Sequence, residues 1–315
     1  MEAADAPPAH DAARAPRPIP GNVPASVPQT TRADDVLAQN RRVSTPFMID
    51  KTQREAGKAW DKFYKAHQDK FFKNRHWTDR EFQELRAAGD TGADGDEEQI
   101  DTALPTDTPV LLEVGCGVGN TVYPLLEKNA ALRVHCCDFS PRAVQMVKAH
   151  PAYTEARVNA FVYDLVGQRT SDALAEYLAR REWPPITTLS LIFVMSAIPP
   201  HEHVPVLRAL LRVVPLGATV VFRDYARGDL AQLRFHTRKD AQWAEPSLLS
   251  DDHDWYRRGD HTMAYFFTVA EVEALVAEAG GLEGRVEEVV KVNTNRRTGA
   301  VMDRRFIQAK LRRIA

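Results

Sequence analysis

The spacing of hydrophobic positions changes along this 315-residue chain, and the changes divide it. Residues 1–45 are rich in Ala and Pro with few large apolar side chains, which predicts a disordered tail. Ala56, Ala59, Trp60, Phe63, Tyr64 and His67 then recur at helical spacing. Phe71 to Trp77, followed by Phe82 and Leu85, is unusually aromatic for this chain. Residues 46–88 therefore read as a basic, aromatic helical lid. Its rings either dock an amphipathic layer on a main domain or border a ligand, and both can hold. Residues 89–108 form an acidic linker.

Beyond the linker, short apolar runs alternate with helical patterns, as a parallel sheet requires. Strands are expected at 110–114, 133–137, 158–163, 189–195 and 219–222. Ser140-Pro141 is a helix start, an acceptor side chain followed by a residue preset for the first turn. Val204, Leu207, Leu210, Leu211 and Val214 make the apolar stripe of a later helix. Residues 226–262 show no clean period, and a loop that long inside a compact domain is usually functional or mobile. Thr268 and Glu271 form a capping box that opens the last helix, to Gly280. Two strands, 285–293 and 302–311, close the chain around Asn295-Arg-Arg-Thr-Gly299, which is hairpin chemistry. Residues 109–315 are thus expected to form one α/β domain.

The first strand ends in glycines: Glu113, Gly115, Gly117 and Gly119 alternate with Val114, Cys116 and Val118. Glycines permit a tight turn and let a ligand lie on bare backbone, with helix-mouth amides facing it. A dinucleotide fingerprint places its third glycine where Asn120 stands, so a nicotinamide enzyme is the weakest reading. Asp138, nineteen residues past Gly119 at the end of the second strand, suits the two hydroxyls of a ribose. Asp164 closes the third strand and either caps the following helix or faces a ligand. Asp224 ends the fifth strand, and is either an acceptor facing the site or a partner of Arg223 or Arg227.

A hydrophobic content of 44% and a charged content of 27% belong to a soluble globular chain. No apolar run approaches a membrane span, and the acidic N-terminus resembles neither a secretory signal nor a transit peptide. Cys116, Cys136 and Cys137 have no zinc-ligand spacing, so no metal is expected; they read as small apolar filling in a reducing compartment, cytoplasmic or nuclear. The net charge of −2 hides an uneven distribution. Residues 51–80 hold nine basic against four acidic side chains, and 291–315 hold eight against one. These are either solvated faces or a nucleic-acid footprint.

Several blocks together resemble a known family. They are Trp60-Asp-Lys-Phe-Tyr64, Phe71 to Trp77, Leu112-Glu-Val-Gly-Cys-Gly-Val-Gly-Asn120 and Cys137-Asp-Phe-Ser-Pro-Arg142. Ile192-Phe-Val-Met-Ser-Ala-Ile198, Phe222-Arg-Asp-Tyr225, Gln232-Leu-Arg-Phe235 and Ala264-Tyr-Phe-Phe-Thr268 complete the set. The chain resembles the methyltransferase-like enzymes that form 3-methylcytidine in tRNA. The resemblance implies a class I, Rossmann-like S-adenosylmethionine-dependent fold: a seven-stranded sheet with an antiparallel C-terminal hairpin. It further implies position 32 of the anticodon loop in serine, threonine or arginine tRNAs as the target. The run 137–150 and the final hairpin resemble the serine-tRNA branch, which works with seryl-tRNA synthetase.

By the same resemblance, Gly115 and Gly117 cradle the methionine part and Asp138 takes the ribose, with Glu113, Cys116 and Phe139 as further cofactor contacts. Asp164, Leu165 and Ile192 take the adenine, and Trp60 and Tyr64 close over the site. Lys73, Arg75, Arg223, Arg227, Arg234, Arg257 and Arg258 are the candidate RNA contacts. The chain departs from the family pattern at Asn74, at Thr187 and in Asp260-His-Thr-Met263. His261 there costs a turn its glycine, and Met263 removes a guanidinium.

N3 of neutral cytosine carries no proton, so its lone pair can attack a sulfonium methyl without a general base. Alignment and an acceptor environment near the base remain for the protein to supply, and Asp224 is the candidate for the latter. A methyltransferase of a protein or small molecule on the same fold is the first alternative. A non-catalytic module that binds RNA or a synthetase is the second.

Overall fold

The computed structural model describes residues 29–39, 41–86, 108–170, 172–237, 245–294 and 301–315. Nearly all of the acidic linker, the turn at 295–299, and Arg238 and Lys239 lie outside them. Five strands form the parallel part of a sheet: β1 (Val110–Val114), β2 (Arg133–Asp138), β3 (Val158–Val162), β4 (Thr188–Ile192) and β5 (Thr219–Tyr225). β1 and β4 are buried at every position, and β2, β3 and β5 at all but one each, as strands covered on both faces are. A two-stranded ribbon, β6 (Trp255–Arg257) with β7 (Met263–Tyr265), stands apart. The long β8 (Leu282–Thr294) and β9 (Val301–Arg313) add antiparallel to β5, so the seven-stranded order is β3-β2-β1-β4-β5-β9-β8. The expected hairpin is present, longer at both ends.

The strand order reverses between β1 and β4, and an open α/β sheet leaves its crevice at that point, beyond the carboxyl ends. Helices α1 (Gln29–Leu37), α2 (Pro46–Arg54), α3 (Ala56–His67) and α4 (Thr78–Glu81) precede the sheet. Within it follow α5 (Val122–Lys128), α6 (Pro141–Ala149), α7 (Ala173–Ala179) and α8 (His203–Leu211). Helices α9 (Leu230–Thr237) and α10 (Val269–Ala279) complete the order. The Ser140 hydroxyl caps α6 by accepting from Ala143 N, and both hydrogen bonds of the Thr268–Glu271 box open α10.

Three of the differences from the sequence expectation have a visible cause. Strand β4 stops at Ile192, because Phe193 turns the backbone to φ +59°. Strand β5 continues through Asp224 and Tyr225, because β9 pairs with it as far as Tyr225↔Phe306. Part of the expected tail is ordered: Leu37 of α1 is buried, and Ser44 N donates to Leu248 O at 2.8 Å. Local composition disfavoured that segment, and tertiary contacts with α9 and the 245–250 region supply what it lacks. Those contacts also order 226–237 and 245–262, with Tyr256, Phe266 and Leu248 packed beside Phe235.

Candidate active site

A cavity of about 830 Å³ opens at the carboxyl ends of β1, β2 and β4. Gly115, Asp138, Phe139, Asp164 and Leu165 line it, and Trp60 and Tyr64 of α3 cover it. The Trp60 and Tyr64 rings stack at 5.8 Å. Gly115 has φ +62°, and a Cβ there would stand 2.7 Å from a Val194 methyl, so only glycine fits.

Asp138 is held by the glycine loop itself. Gly117 N donates to Oδ2 at 3.0 Å and Ser140 N to Oδ1 at 2.9 Å. Burial pushes this carboxyl up to about 6, against the pull of those amides. Each oxygen keeps a further lone-pair direction, which suits two vicinal hydroxyls. The lid is tied to the start of α6, next to Asp138: Ser140 Oγ donates to Asp61 Oδ1 at 3.0 Å, and Arg142 stands 3.5 Å from Oδ2. A bare loop, a carboxylate with spare acceptors and an aromatic cover together fit a nucleoside-bearing methyl donor.

The other expected site residues sort differently. Asp164 lines the cavity and caps a turn rather than a helix: its Oδ1 accepts from Val166 N and Gly167 N, each at 3.0 Å, and α7 begins only at Ala173. Glu113 and Cys116 lie beneath the cavity rather than in it. Burial raises the Glu113 carboxyl to about 7, and Arg75 is the strongest influence against it. Ile192 is fully buried in the core, so its side chain does not reach an adenine; Phe193 and Val194, next in sequence, line the cavity instead. The one-residue shift follows from the early end of β4. Met263 also lines the cavity. The apolar run 189–195 and the Ile192–Ile198 block were the sequence signals near Phe193 and Val194, and Met263 was marked only as a departure from the family pattern.

Asp224 is corrected as well. It is fully buried, does not line the cavity, and pairs with neither Arg223 nor Arg227. Its Oδ2 accepts from Ser196 N at 2.8 Å and its Oδ1 from Tyr225 N at 2.9 Å. Burial raises this carboxyl to about 6. His203 grips the same turn, its Nε2 lying 2.9 Å from Met195 O and 3.0 Å from Ile198 O. Burial lowers the imidazole to about 4, so it is neutral at pH 7. Asp224 and His203 thus fix the 195–199 turn, which lines the cavity with Ala197, Ile198 and Pro199.

The basic candidates divide by burial. The Arg223 guanidinium is enclosed, 4.4 Å from the Trp77 ring, 4.7 Å from the Phe306 ring and 3.5 Å from Glu81 Oε2. Arg75 Nη1 donates to Thr121 Oγ1 at 3.0 Å and Ile192 O at 3.2 Å. Both brace the lid on the sheet; Arg223 is withdrawn from solvent and Arg75 is half-buried. Arg227 pairs with Asp34 and Asp254, at 3.3 and 3.5 Å. Arg258 Nη1 donates to Met263 O at 2.8 Å, and Arg257 Nη1 lies 3.2 Å from His261 Nδ1. Lys73 and Arg234 are exposed. Trp255 and Tyr256, from the same stretch as Arg257, are core.

Comparison with known proteins decides the family. A general methyltransferase domain model matches residues 112–214. The tRNA N(3)-methylcytidine methyltransferase trm141 of Schizosaccharomyces pombe is 40% identical over 83% of this chain and 94% of its own length. The chain belongs to the tRNA N(3)-cytidine methyltransferase family. Mouse tRNA N(3)-cytidine methyltransferase METTL6 is 38% identical over 90% of each chain. METTL2 of Xenopus tropicalis, another tRNA N(3)-cytidine methyltransferase, is 35% identical over 84% of this chain and 81% of its own. At the level of fold, a SAM-dependent methyltransferase from Anabaena variabilis superposes with a TM-score of 0.55. It covers 82% of this chain and 94% of that one at 13% identity.

Proposed function

We propose that this chain transfers the methyl group of S-adenosylmethionine to N3 of a cytidine in tRNA. The observation that carries this reading is 40% identity to a tRNA N(3)-methylcytidine methyltransferase across nearly that protein's full length, with the donor cavity intact. The donor supplies an electrophilic sulfonium methyl. The backbone at Gly115 and Gly117 holds its amino-acid end, and Asp138 accepts from the ribose hydroxyls. Asp164 and Leu165 border the adenine, while Trp60 and Tyr64 exclude water from above. In-line attack by the N3 lone pair forms the N–C bond as the S–C bond breaks, and positive charge passes to the base. No proton moves, so placement is the main task left to the protein.

The target position within the anticodon loop, the serine-tRNA preference and a seryl-tRNA synthetase partner belong to the same proposal. The position rests on the family resemblance as a whole, and the serine preference with its synthetase on the motifs at 137–150 and in the final hairpin. Three buried free thiols, Cys116, Cys136 and Cys137, accord with a reducing compartment, and we place the activity in the cytoplasm or nucleus. Purified protein, isotopically labelled donor and total tRNA are incubated, and the labelled nucleoside is identified by mass spectrometry. Label in 3-methylcytidine of serine tRNA is expected. Label in another nucleoside, or in protein alone, overturns the substrate.

A further inference from the structure

Among the described residues, only Gln68, Phe193 and His261 combine a side chain with positive φ, and of these Phe193 alone lines the cavity. A bulky aromatic in that backbone region is an outlier, and a glycine would adopt it without strain. The conformation is enforced from both sides. Phe193 N donates to Arg223 O at 2.7 Å, and the preceding carbonyl accepts from Arg75 Nη1 at 3.2 Å. A ring is thus held at this position against a backbone penalty, at the mouth of the donor cavity.

Its surroundings say what the ring is for. Phe193 lies 5.0 Å from the Tyr225 ring and 5.6 Å from the Phe306 ring, and these two are cross-strand partners on β5 and β9. All three rings remain partly exposed. Guanidiniums flank them: Arg75 is 5.3 Å from Phe193, and Arg258 is 5.6 Å and Arg304 6.0 Å from Tyr225. A partly exposed aromatic surface among cations, continuous with a methyl-donor cavity, has the chemistry of a nucleobase stacking platform.

We propose that Phe193 is the platform on which the target cytosine stacks, with Tyr225 and Phe306 extending the surface. This inference rests on the proposed function. N3 lies on the pairing edge, so the base must leave its helical stack and find a replacement face. The left-handed turn at Phe193 places that face at the end of β4, beside the cavity that takes the donor.

The test uses the full chain and an anticodon stem-loop bearing pyrrolocytidine at the position the wild-type protein methylates. Binding to wild type is expected to quench the analogue. Phe193→Leu should abolish the quench and lower kcat/KM for tRNA by about ten- to a hundredfold, the range that loss of one base–aromatic stack implies. Phe193→Trp should restore both, and because the ring also lines the donor cavity, the fall in kcat/KM for tRNA in the Leu variant should exceed any change in S-adenosylmethionine affinity measured by calorimetry. Phe193→Gly relieves the backbone, so it should keep its melting temperature while failing as Leu does. Retained quench and unchanged kcat/KM in the Leu and Gly variants would overturn the platform. If wild type itself methylates no tRNA, the functional reading has failed instead, and the two failures are distinct.

Discussion

The Tyr64 hydroxyl stands over Gly117, 2.9 Å from where a Cβ on that glycine would lie. Lid and glycine loop are therefore in contact at the one point where neither can grow. Gly117 also has φ +55°, which an alanine adopts only with strain. Gly117→Ala should lose about 1–2 kcal/mol of stability in denaturant titration and bind S-adenosylmethionine weakly by calorimetry. Adding Tyr64→Phe removes the clashing oxygen and should return part of the affinity without removing the backbone strain.

Asp138 predicts a pH dependence. Its carboxyl titrates near 6, and its two amide donors and the ribose hydroxyls all prefer the ionised form. Donor affinity should be flat above about pH 6 and weaken progressively below it, and Asp138→Asn should be weak and flat. Stability runs the other way. The folded carboxyl titrates above its ordinary value of 3.8, so the native state holds a proton that the unfolded chain releases. This group's contribution therefore falls as pH rises from about 4 to about 6. Opposite slopes in calorimetric affinity and in denaturant midpoint are the expected signature.

Arg223 should behave as a brace. Arg223→Ala leaves Trp77 and Phe306 facing a gap and Glu81 with Lys291 alone, and should cost about 3 kcal/mol in denaturant unfolding. The salt dependence of tRNA affinity should keep its slope, since the guanidinium is only 3% exposed. Lys73→Ala should do the reverse. It leaves stability within about 0.5 kcal/mol and lowers the slope by roughly 0.7–0.9 if one phosphate contact is lost.

His261 occupies φ +68° in an exposed turn where its side chain only approaches Arg257. His261→Gly should therefore stabilise the chain by about 0.5–1 kcal/mol, because relief of left-handed strain exceeds the added freedom of the unfolded state. An unchanged or lowered melting temperature would show that the Arg257 contact outweighs the strain.

The sequence alone determined the elements whose causes are local. Largely apolar runs made β1 to β5, Ser140-Pro141 and Thr268-x-x-Glu271 set two helix starts, and the alternating glycines with Asp138 pointed to the crevice at the strand ends. Such features depend on residues close in the chain, and the structure brings Gly115, Asp138, Asp164, Trp60 and Tyr64 to one cavity as their motifs implied. What tertiary structure decided was the surroundings of each charge and ring. Arg75, Arg223 and Asp224 read as surface chemistry because nothing local revealed that Trp77, Phe306 or the 195–199 turn would enclose them. Phe193 replaced Ile192 at the cavity because distant hydrogen bonds from Arg75 and to Arg223 ended β4 early. Burial and long-range pairing are properties of the assembled sheet and lid, and no period along the chain encodes them.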